Sequence, residues 1–107
     1  MSDAEIAKPE IKLSLDKERT VVFDWNAICA IEKATGRNLV RDTTILTSPD
    51  ANFLRGAVYG CLLSDDPSMT VPKAGELMGK YPHMIQVIFK AVIDGITALM
   101  EVQKKSE

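Results

Sequence analysis

The side chains best suited to chemistry are the adjacent carboxylates Asp65 and Asp66, the single histidine His83, and the two thiols Cys29 and Cys61. Paired carboxylates hold a hard cation only when further oxygens converge on the same point. Asp65 and Asp66 stand beside Pro67 in the run SDDPSM, a composition that makes a solvated turn. His83 follows Pro82 where a long helix begins, with no cysteine or carboxylate at ligand spacing, and reads as a surface histidine. Cys29 and Cys61 fall in separate helical patterns. Both are expected to be buried and reduced, because a free thiol packs as a small hydrophobe. The sequence has no glycine-rich phosphate loop, no G-x-S-x-G and no Cys/His motif. It points away from an enzyme, with no catalytic residues, no cofactor and no metal site expected.

The bulk properties narrow the class further. A chain of 107 residues makes one domain, and its modest core leaves room for a homo-oligomer to add stability. Thirteen basic against fifteen acidic residues give a net charge of -2. That balance lacks the electrostatic footprint of a nucleic-acid or anionic-membrane binder. The opening MSDAEIAKPE has neither the basic nor the apolar region of a signal peptide, and no apolar run reaches the ~18 residues of a membrane span. A cytoplasmic location is the expectation.

These residues need elements to position them. Residues 1–9 are polar, aperiodic and end in Pro9, and are expected to form a disordered tail. Ile11, Leu13 and Leu15 alternate with Lys12 and Ser14 at the strand period, DKER makes a turn, and TVVF suits a returning strand. Asp24 is placed to cap a helix in which Trp25, Ile28, Cys29 and Ile31 share one broad face, and Gly36 suits its left-handed end. Trp25 is expected to be a core anchor against the hairpin. RDTTILTS reads as a linker, and Ser48 and Pro49 as the cap and first residue of a second helix with Leu54, Ala57, Val58, Cys61 and Leu62 inside. Gly56 and Gly60 lie four apart on another side of it, which suits a close helix approach or a bend. A short helix over residues 70–78 and a long one from His83 to about Lys104 complete the chain. The expected fold is α+β and predominantly helical. It comprises an N-terminal hairpin and about four helices, forms one domain over residues 10–104, and ends in a flexible C-terminus at 105–107.

The last helix is apolar around most of its circumference. Ile85, Ile88, Phe89, Val92, Ile96 and Leu99 form a bulky stripe for the core. Met84, Val87, Ala91, Gly95, Ala98 and Val102 form a second seam with small residues at its middle. An ordinary surface helix needs one stripe. The second seam makes the helix either central in the domain or a surface for self-association or partner docking. A helix-turn-helix reading of residues 69–90 fails on charge, since the second helix presents only His83, Gln86 and Lys90 among aliphatics.

FDWNAICAIEKATGRNL (residues 23–39) resembles the aromatic-Asp-x-Asn-Ala…Glu…Thr-Gly-x-x-Leu segment of the small tail assembly chaperones of long-tailed bacteriophages, prophages and gene-transfer particles. FLRGAVYGCLLSDDPSMTVPKAGELM (residues 53–78) resembles their second block, a Leu-Arg helix with an aromatic-small pair, an acidic-Pro loop and a Thr-led helix with Gly-Glu-Leu. Pro72 and Lys73 depart from the pattern where acidic residues are commoner, and Tyr59 where tryptophan is frequent. The resemblance implies a non-enzymatic helper in the bacterial host cytoplasm. Such a protein binds the long tape measure protein, assists recruitment of tail tube protein around it, and is absent from the finished particle. Many relatives also have a frameshifted longer form, and Gln103, Lys104 and Lys105 permit a slippery adenine run in the gene. The alternatives are a small structural tail component, such as a connector or completion protein, and an unrelated dimeric regulator.

Overall fold

The alternation of residues 11–15 forms β1 (Glu10–Ser14), paired antiparallel with β2 (Glu18–Val22) so that Ile11 faces Val21 and Leu13 faces Arg19. This hairpin and the helices that follow are seen in a computed structural model, which describes residues 10–42 and 44–106 and the side chains of those up to residue 99. The proposed tail at 1–9 lies outside the described residues. Val21 and Phe23, two apart on one side of β2 and its extension, deliver the hairpin to the core.

Helix α1 (Trp25–Thr35) starts where the Asp24 carboxylate accepts the Ala27 N–H at 2.9 Å. It ends at Gly36, whose φ of 74° is the left-handed conformation that glycine adopts without a Cβ clash. The Glu32 carboxylate then accepts the Leu39 N–H at 3.0 Å, turning the chain back so that Leu39 is fully buried. Within the segment read as a linker, Thr44–Thr47 forms one helical turn, α2, because Ile45 has a place in the core.

Helix α3 (Ala51–Leu63) is capped by Asp50, which accepts the Phe53 N–H at 2.7 Å, and not by Ser48. Pro49 therefore precedes the cap. Asp50 also takes the Arg37 guanidinium at 2.7 Å, a second tie that a serine hydroxyl at position 48 does not supply. Helix α4 (Val71–Lys80) follows the Thr70 cap, and α5 (His83–Ser106) runs 24 residues, about 36 Å at 1.5 Å per residue.

The central element is α3, which packs on α1, α4, α5 and β2. Phe53, Ala57, Val58, Cys61 and Leu62 are all buried, whereas Leu54 is only half-buried. Gly56 and Gly60 face α1, and their lack of side chains allows the close approach. A Cβ on Gly60 would lie 3.0 Å from the Ala27 carbonyl oxygen, and one on Gly56 would strike Thr35. Helix α5 reaches the core through Met84, Ile88, Val92 and Ile96, with Phe89 edge-to-face on Phe53 at a centroid distance of 6.2 Å.

Candidate functional site

The most polar feature of the interior is Arg19. Its position on β2 has the parity of Val21 and Phe23, so it points inward, and its side chain is 1% exposed. Two carboxylates satisfy it. The guanidinium donates from Nε and Nη2 to the two oxygens of Asp16, both at 2.9 Å, in the fork geometry that suits a carboxylate. Nη1 donates to Asp66 Oδ2 at 3.0 Å. Arg19 thus joins the hairpin turn to the loop between α3 and α4.

Asp66 is therefore not a free turn carboxylate: its side chain is 14% exposed and it is held by Arg19 and by the Ser68 hydroxyl at 2.6 Å. Asp65 remains exposed. Among the described residues, no three His, Cys, Asp or Glu side chains converge in a way that could hold a metal ion.

The bond from Arg19 lowers the Asp16 carboxyl to about 2. The Asp66 carboxyl is also depressed, first by the Ser68 hydroxyl and then by Arg19. Both native values lie below the unfolded value near 4, so the stabilisation is complete above about pH 4 and is lost as pH falls toward the native values. The urea midpoint is expected to hold steady from pH 7 to about 5 and to fall between about pH 4 and 2. Arg19→Met should show a smaller fall over that interval than the parent, measured by circular dichroism.

The first helix presents the other candidate site. Trp25, expected in the core, is 55% exposed. The broad face assigned from sequence was too broad: α1 buries Ala27, Ile28 and Ile31. At 100° per residue Trp25 lies about 110° around the helix from their mean direction. Cys29, one turn on, is also exposed, against the expectation of two buried thiols. Cys61 is the buried one, and burial pushes its thiol up to about 12. Trp25 and Val40, at 36% exposure, are the large hydrophobic residues exposed among the described side chains.

Trp25→Ala is accordingly expected to cost about 1 kcal/mol or less, in place of the 3 to 5 kcal/mol of a core aromatic. Native tryptophan emission should be that of a solvated indole. A strongly blue-shifted spectrum, with a large loss of denaturation midpoint on substitution, would contradict this placement.

Beside the start of α1 is a cleft of about 160 Å³ lined by Asp24, Asn26, Ala27, Gly60, Leu63 and Ser64. It is smaller than the roughly 300 to 1,000 Å³ of ordinary small-molecule pockets.

The second seam of α5 divides. Met84 is fully buried, Ala91 is 6% exposed, and Gly95 packs against the ring of Phe23. Val87 is half-buried, Ala98 is exposed, and the side chain of Val102 lies outside those described. The middle of the seam is occupied by the corner between β2 and α1, so Met84, Ala91 and Gly95 do not form a free surface. His83 is exposed, with its ring edge-on to Tyr81.

Arg19 falls in the polar run DKER by composition, although its period-two parity with Val21 and Phe23 marks it as inward-facing. The exposure of Trp25 follows from Ala27 joining Ile28 and Ile31 on the buried face in place of Trp25 and Cys29, a choice that the apolar pattern of the helix alone does not mark. No protein-family model, curated protein or solved structure matches this chain.

Proposed function

We propose that this chain is a non-enzymatic tail assembly chaperone. In this role it binds the tape measure protein and assists recruitment of tail tube protein, and then leaves before the particle is finished. The observation that carries the reading is Trp25, which stands on the surface inside the segment that bears the resemblance. Tryptophan is the side chain most often found as an interface anchor, since it buries a large rigid area at little entropic cost. With Cys29 one turn away and Asn26 beside it, α1 offers an aromatic knob on an otherwise small-residue and polar face. An apolar face of a helical client can close over such a knob.

The test is co-expression with a tape measure protein from a neighbouring gene, which this reading requires. The chain should keep that protein soluble and co-purify with it, and Trp25→Ala should lose the complex while remaining folded. A tape measure protein that stays equally soluble without the chain would sink the reading. Recovery of the chain at fixed copy number from finished particles would instead favour a structural tail component.

A further inference from the structure

The hairpin has two outer edges, and they are treated differently. In an antiparallel ladder, alternate residues turn their backbone N–H and C=O toward the partner strand, and those between turn them away. The N–H of Thr20 donates to Asp65 Oδ2 at 3.2 Å, so Thr20 faces away from β1 and the loop after α3 covers this edge. Lys12 lies opposite Thr20 and must therefore turn its own N–H and C=O away from β2. The same alternation turns those of Glu10 and Ser14 outward. Among the described residues, nothing accepts from or donates to these outward groups of β1.

We propose that β1 is a self-association edge, at which two copies of the chain pair antiparallel about a two-fold axis at Ile11 to make one four-stranded sheet. The strand sequence is self-complementary in that register. Glu10 falls opposite Lys12 of the second copy, and Lys12 opposite its Glu10, giving two pairs of opposite charge on the outer face. These are also the residues whose backbone groups point outward, so each pair exchanges two backbone hydrogen bonds, four in all. Ile11 meets its counterpart on the inner face, where it is only half-buried in the single chain. A register centred on Lys12 sets lysine against lysine, and one centred on Leu13 makes no opposite pair. The inference is independent of any client, and it stands or falls apart from the chaperone reading.

Sedimentation equilibrium on the full chain tests it. The parent should be a dimer. Glu10→Lys and Lys12→Glu should each weaken association about tenfold or more, because each sets like charges opposite each other at both pairs. Circular dichroism should show both variants folded. Mixing the two variants should restore pairing, since one then presents two lysines to the other's two glutamates. A parent chain that is monomeric at roughly 0.1 mM would overturn the proposal. So would a dimer indifferent to both substitutions, or single variants that fail to pair when mixed.

Discussion

Arg19→Ala is expected to lower stability by about 3 kcal/mol. The guanidinium is enclosed and makes three bonds to Asp16 and Asp66, and its removal leaves both carboxylates without their cation. Asp16 and Asp66 retain contact with water, which holds the loss below that of a fully dry ion pair. The truncation also empties the space under the hairpin. Arg19→Met, which fills that space without charge, should cost less than Arg19→Ala, because packing a buried site with apolar volume offsets part of the lost bonding. Urea denaturation of the three proteins separates the two contributions. Equal midpoints for parent and Arg19→Ala would remove the clamp from the account.

Gly95→Leu is expected to cost about 3 kcal/mol or more and to expand the native state. A Cβ at position 95 already collides with the Phe23 ring, and three further carbons must go the same way. Phe23 is itself 3% exposed and packed where the hairpin meets α1, so it has nowhere to retreat. Gly95→Leu on a free docking seam would leave the midpoint nearly unchanged and alter only association. Thermal unfolding with sedimentation as the second readout distinguishes these outcomes, and a folded, fully stable variant would contradict the packing described for α5.

Local rules made much of this fold legible. The period-two run at β1 and the Asp24 cap and Gly36 stop on α1 each act within a few residues, and each is where its chemistry puts it. The failures came where a distant partner decides. Asp50 took the cap of α3 with Arg37 from the end of α1 as its second partner, and Ile45 ordered a turn by finding the core. The two apolar faces of α5 were visible, but sequence left open whether the second was central or intermolecular. The ring of Phe23, from the distant N-terminal hairpin's extension, fills its middle. A central place for the long helix is one of the two readings that its second seam offers. The glycines at 56 and 60 give that place to α3, since they let α1 lie close against it. For the candidate site, the segment containing Trp25 stood out at once, but its exposure turns on about 110° of helical phase that a broad apolar face concealed.

In the proposed function Trp25 is the side chain that meets the client, and the chain has a single tryptophan with which to check it. The direct measurement is the indole N–H resonance of the chain labelled with nitrogen-15, followed as unlabelled tape measure protein is added. One resonance at a solvated position is expected, shifting or broadening and saturating as complex forms, with Trp25→Phe weakening the complex several-fold. An indole resonance unchanged at full saturation of binding would place the client elsewhere on the molecule, and the absence of any complex would contradict the function proposed.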